Sequence, residues 1–182
     1  MNSSDTDALE KFSAEASRIE EDATFNFVGH YEAANFWKTV SHTLNFPIVI
    51  FSAIAAFFSF TEPFISLFSS IIVTVLGSVN LYFRPAETAA LHYRSGGKFK
   101  SLRDKARLYR EVRLRFSKDS ANKLLERLNE LYEEKRVISE MGVPIPNFAY
   151  RRAKRKIDDG HTSYAVDEAS ETPIAQLDAK NV

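Results

Sequence analysis

The sequence predicts an all-α membrane protein: a two-transmembrane helical hairpin extended by cytoplasmic amphipathic helices. Three observations predict it. From Thr43 to Phe83 there are 41 residues with a single charge, Glu62. On both sides of this run apolar residues recur at steps of three and four, the period of one helical face. Basic residues follow the run closely, with Lys38 just before it, and are missing from its middle, the bias that orients membrane proteins. The composition fits. The 182 residues carry 24 basic and 24 acidic side chains, four His and no Cys. Lack of Cys excludes disulfides, thiolate metal sites and a cysteine nucleophile. A mean hydropathy of −0.25 averages a greasy middle with charged ends.

Residues 1–42 are expected to form an N-terminal cytoplasmic amphipathic helix. Its stripe is Leu9, Phe12, Ala16, Ile19, Ala23, Phe27, Tyr31 and Ala34, and Asn26 and Gly29 leave room for a kink in the middle. The segment is acidic, with eight Asp or Glu up to Glu32 against Lys11 and Arg18. The start, MNSSDTDALEKF, lacks a basic leader region, so no signal peptide is expected.

Residues 43–83 are the hairpin. Forty-one helical residues would extend about 60 Å, twice the roughly 30 Å of a bilayer core. Two spans fit, 43–60 and 64–83, broken at Thr61-Glu62-Pro63. Proline removes a backbone donor, and a mid-membrane carboxylate costs about 2.5–3.5 kcal/mol. Pro47 should lie in the first turns of its helix. The turn has no Lys or Arg, whereas Lys38 precedes the first span and Arg84, Arg94, Lys98, Lys100 and Arg103 follow the second. Both termini are therefore placed in the cytoplasm.

Residues 84–160 are read as a C-terminal cytoplasmic helical region. From Arg84 to Lys118 it carries eleven basic and three acidic residues. Its stripe, Leu102, Ala106, Tyr109, Val112 and Phe116, should pair antiparallel with the acidic N-terminal helix. Exposed ion pairs contribute only ~0.2–1 kcal/mol each, so the stripes must carry the packing. A further helix is expected from about Ser120 to Met141, capped by Ser117 or Asp119. Its heptad-like seam is Ala121, Leu124, Leu128, Leu131, Lys135 and Ile138, which suggests a bundle or an oligomer contact. A basic helix over 146–158 follows, stopped by Gly160. Residues 161–182 read as a disordered acidic tail.

Polar residues within the spans are the first candidate site. Ser66, Ser70, Thr74 and Ser78 recur at four-residue steps, with Ser69, Gly77 and Asn80 near that face. Asn45, Ser52 and Ser59 recur seven apart in the first span. They either pack helices together or line an aqueous path in an oligomer, since two helices cannot enclose a pore. His30, Trp37, Arg84, His92 and Arg94 are candidate membrane-interface residues. His30, Glu32, Glu87 and His92 approach one another if the outer helices pair, but their i,i+2 and i,i+5 spacings do not share helical faces. Arg151, Arg152, Lys154, Arg155 and Lys156 could contact an anionic lipid or a nucleotide phosphate. Direct nucleic-acid binding is not expected, because no aromatic platform interleaves with the run. No phosphate-loop, dinucleotide or serine-elbow pattern occurs, and Gly96-Gly97 is a bare pair. No enzyme activity, cofactor or metal is expected.

The order GHYEAANFW, two spans, NLYFRPAETAALHYRSGGKFKSLRDKARLY and VPIPNFAYRRAKRKIDDG resembles the SLATT family. These are two-transmembrane proteins associated with SMODS nucleotidyltransferases and SLOG domains. The resemblance covers roughly residues 24–160 and rests on Phe83-Arg84-Pro85, His92, Arg94, His30 and Trp37. It implies a membrane effector of a bacterial antiphage system, placed in the inner membrane. On a nucleotide or partner signal the effector oligomerises and permeabilises the membrane, and the cell dies. A nucleotidyltransferase or reverse-transcriptase system would supply the signal. The rival expectation is a non-conducting scaffold that recruits a cytoplasmic partner through its helical seams.

Overall fold

A computed structural model of the chain describes residues 3–116, 119–160 and 162. The fold is all-helical, with no strand among the described residues. Helix α1 runs unbroken over Ser3–Phe57. After a turn at 58–62 comes α2, Pro63–Phe83, with Pro63 in its first turn. Helix α3, Pro85–Leu108, continues through a π-helical turn, Tyr109–Arg113, into the short α4, Leu114–Phe116. Then come α5, Ala121–Glu140, and α6, Asn147–Asp158. Gly160, at φ 77°, ends the last helix in a left-handed conformation that glycine adopts without steric cost.

α1 and α2 form an apolar hairpin, each long and apolar enough to cross a membrane. Only 6% of the most apolar window in each is buried within the chain, which separates these helices from the core of a soluble bundle. Phe60 is 98% and Phe64 85% exposed at the tip. Contiguous apolar surface of this kind marks a membrane or protein contact. The break falls at Glu62-Pro63, and the turn also takes Phe58–Phe60 out of the first helix.

No joint separates the N-terminal helix from the first apolar segment. Pro47 lies deep inside α1, not at a helix start. Its ring deletes one backbone bond, but the helix continues on either side. Nor does α1 break at Asn26 or Gly29. The Asn26 amide donates to the Asp22 carbonyl at 2.7 Å. Gly29 admits Ile145, which a Cβ there would meet at 3.1 Å.

The second break is at Arg84. Proline disfavours the α region for the residue before it, and Arg84 takes φ 44°, ψ 52°. The chain thereby leaves α2 and restarts as α3 with Pro85 buried.

Away from the hairpin the remaining helices form a charged bundle. Its core joins Ala16, Ile19 and Ala23 of α1, Phe99, Leu102 and Ala106 of α3, and Leu124, Leu128, Leu131 and Ile138 of α5. The expected antiparallel pairing of α1 with the basic segment is present. The seam of α5 is packed inside the chain at Leu124, Leu128, Leu131 and Ile138, whereas Ala121 at its start is exposed. Lys135, at its polar position, pairs with Asp22. The stripe of α3 departs from expectation at its end, where Val112 is 46% and Phe116 78% exposed. The π turn adds a residue to the helical repeat, so Leu114 packs on the core instead. Tyr109, at the start of that turn, donates its hydroxyl to the Leu124 carbonyl at 2.9 Å, and burial pushes its pKa up to about 12. The N-cap of α5 is Ser120, in extended conformation. Asp119 instead accepts from Lys123 at 2.9 Å, and Ser117 lies outside the described residues. The expected tail lies outside them as well, except for Thr162.

Interhelical ion pairs surround this core: Arg110–Glu20 at 3.1 Å, Lys105–Glu134 at 2.8 Å, and Lys156–Glu32. A fully buried Leu or Ile contributes about 1.5–3 kcal/mol, several times an exposed ion pair. Packing therefore holds the bundle, and the ion pairs set its register.

Candidate functional site

The polar residues of the hairpin separate into two sets. One set ties α1 to α2. Near the turn, the Ser66 hydroxyl donates to the Ala55 carbonyl at 3.0 Å. Near the far end, the Asn80 side-chain amide donates to Asn45 Oδ1 at 3.1 Å, and the Asn45 Nδ2 donates to the Ser41 hydroxyl at 3.1 Å. Ser69, 2% exposed, occupies the close approach between these anchors. Ser41 is the residue sequence reasoning missed, and its i,i+4 spacing from Asn45 is the signal that could have found it.

The second set faces away from α1. Ser70, Thr74 and Ser78 are exposed, and each hydroxyl donates to the carbonyl four residues back at 2.8 Å. Such back-bonding satisfies the donor within the helix and leaves an acceptor oxygen pointing outward. Ser52 and Ser59 are exposed too, and Ser59 donates to the Ala56 carbonyl at 2.9 Å. Helical geometry explains the division. Four residues turn a helix by about 400°, so each step drifts about 40° around the axis. Ser66 faces the partner helix, and by Ser78 the row has moved a third of the way round.

A second site lies where α1 and α3 cross. His30 and His92 are each 2% exposed and place their Nδ1 atoms 3.1 Å apart. One ring therefore donates Nδ1–H to the bare nitrogen of the other, which requires opposite tautomers. His30 also stacks on Phe99, centroids 5.6 Å apart. Burial lowers the His30 pKa to about 4, assisted by His92, and burial lowers that of His92. At neutral pH both are uncharged. The two carboxylates once grouped with them go elsewhere: Glu32 to Lys156 and Glu87 to Arg84 at 3.5 Å. Both histidines face inward between helices. His30 continues the buried stripe Ala23, Phe27, Ala34, a signal readable in the sequence.

Gly96 makes this crossing possible. A Cβ there would meet the Tyr31 ring at 2.7 Å and the His30 Cβ at 3.3 Å. At Gly97 nothing lies within 4 Å. Gly96→Ala is expected to lower stability by about 1–3 kcal/mol through overpacking. Gly97→Ala should raise it by up to about 1 kcal/mol through helix propensity. Thermal unfolding of the two variants in detergent checks this; equal shifts would remove the close-approach role of Gly96.

Trp37 is half-buried and touches Phe36 edge-on, ring centroids 5.5 Å apart. Arg94 is exposed. In α6, Ala149 and Ala153 are buried, while Arg151, Lys154 and Arg155 are exposed. Arg152 lies over the Phe148 ring, 5.7 Å from its centroid. The basic run is thus mainly a solvated face, with Lys156 taken by Glu32. Neither a protein-family model, nor a curated protein, nor a solved structure matches this chain.

Proposed function

We propose that this chain is a membrane effector of a bacterial antiphage system. Several hairpins assemble in the inner membrane, with both chain ends in the cytosol, and permeabilise it on a nucleotide or partner signal. The observation that carries this reading is the outward row of Ser70, Thr74 and Ser78 on an otherwise apolar helix. Small hydroxyl residues at four-residue steps allow close helix approach between copies. Acceptor oxygens in such a row can line a wetted path, whereas they gain nothing from facing lipid. The resemblance to the SLATT family supports the biological setting. The α5 seam, through which a scaffold would recruit a partner, is already filled within the chain, and this favours the effector over the scaffold.

The test is induced expression with a membrane-potential dye, triggered and untriggered. The wild type should depolarise the cells when triggered. Replacing Ser70 and Thr74 together by Leu should reduce the depolarisation by at least tenfold without changing the amount of protein in the membrane fraction. Wild-type depolarisation by that variant would remove the row from the path.

A further inference from the structure

Two cavities meet at His42. One, about 340 Å³, lies between α1 and α3 where they leave the apolar hairpin. The other is an open surface of α1 alone, about 550 Å³, running from His42 past Phe46 and Val49. Ligand sites commonly occupy about 300–1,000 Å³, so the pair is large enough for an elongated molecule. The first cavity exists because its walls are short: Ala34, Ala86, Ala89 and Ala90 place methyl groups where longer side chains would close the gap.

The chemistry along this groove is graded. Lys38 and His42 line the end nearer the charged bundle, and both are exposed. Lys38 has no carboxylate partner among the described residues. The other end is lined by Thr43 and Asn45 and then by Phe46 and Val49, which are 70% and 67% exposed. The change from cationic to apolar falls at Thr43, where the uncharged run of the sequence begins. A molecule with an anionic end and a hydrocarbon end, lying across the boundary between water and bilayer, complements Lys38 at one end and Phe46 and Val49 at the other.

We infer that this groove binds an anionic phospholipid, its phosphate against Lys38 and His42 and an acyl chain along Phe46 and Val49. The inference rests on the membrane reading above. It places lipid recognition between α1 and α3, away from the basic run of α6. Because the head end is built from both helices, a bound lipid ties α1 to α3 at the point where they diverge from the hairpin. A basic side chain near an anionic surface favours binding by about fivefold.

Trp37, the one tryptophan of the chain, precedes Lys38 in α1 just outside the groove lining and serves as the quenching reporter. The full-length protein in detergent is titrated with brominated phosphatidylglycerol or brominated phosphatidylcholine, and quenching of Trp37 is read. The anionic lipid should quench at about fivefold lower mole fraction. Lys38→Gln should bring the two lipids to parity. Ala89→Leu, which fills the groove and leaves the charge, should weaken quenching by both. Equal quenching of the wild type by both lipids, or an unchanged preference in Lys38→Gln, would overturn the site. Millimolar inorganic phosphate should leave the quenching by the anionic lipid in place; relief by phosphate would mean that the site takes the free ion rather than a lipid. Failure of the membrane reading looks different, since the chain would then remain in the aqueous fraction without detergent.

Discussion

Leu102→Ala is expected to lower the stability of the charged bundle by about 2–5 kcal/mol, the range for emptying a packed aliphatic site. Leu102 has no exposed surface and lies in the cluster that joins α1, α3 and α5. Neighbours on three helices cannot all move inward, so most of the cavity should persist. Leu108, six residues later on the same helix and 55% exposed, is the matched control. Its truncation should cost within about 0.5 kcal/mol, as surface substitutions do. Urea unfolding in detergent, followed by Trp37 fluorescence, measures both. A difference under about 1 kcal/mol would mean that the bundle core is not the source of stability argued here.

Acidification should produce the second large effect. An unfolded histidine titrates near 6.5, whereas burial holds folded His30 at about 4. The unfolded chain therefore binds the proton first, and the folded state loses stability as the pH falls. The contribution is full above about pH 6.5 and fades progressively toward pH 4. Each unit of difference corresponds to about 1.4 kcal/mol, so His30 alone should account for roughly 3 kcal/mol. His92 acts in the same direction. The charged groups of adjoining segments are engaged in contacts of their own. Lys156 neutralises Glu32 on α1, and Arg103 on α3 lies over Phe27, 5.5 Å from its centroid. Glu15, held below the usual carboxylate range by Tyr132 and Arg18, adds its own loss at lower pH. The comparison is therefore best made between pH 4.5 and 6.5. Replacing both histidines by Asn should flatten the stability curve there, whatever it does to the absolute value. Coincident slopes for variant and wild type would show that the pair does not govern the acid limb.

Much of the architecture was legible because it is written in local pattern. Forty-one residues with one charge announce two apolar helices, and Glu62-Pro63 announces the turn between them. The stripes through Ile19, Leu102 and Leu128 gave the faces that meet in the core. What escaped depends on how one helix is registered against another. That His30 and His92 approach one another was expected from the pairing of the outer helices; their direct contact, and the loss of Glu32 and Glu87 to other partners, depends on the crossing at Gly96. The π turn was hidden because the sequence YREVR continues a normal helical pattern; only the side on which Leu114 emerges reveals the extra residue. The serine row read as one face because a four-residue repeat was taken as straight, whereas its slow rotation carries Ser70, Thr74 and Ser78 to the outside and leaves only Ser66 against α1. The unbroken α1 was missed because Pro47 reads as a start, although a helix with a partner alongside can carry it within.

That continuity has a mechanical consequence. At 1.5 Å per residue, the 55 residues of α1 make a shaft about 80 Å long, fixed at one end among Leu102 and its neighbours and carrying the first apolar segment at the other. Torque applied to the charged end reaches the greasy end directly, with no hinge to absorb it. The exception is Pro47, where one backbone bond is missing and the shaft gives most easily.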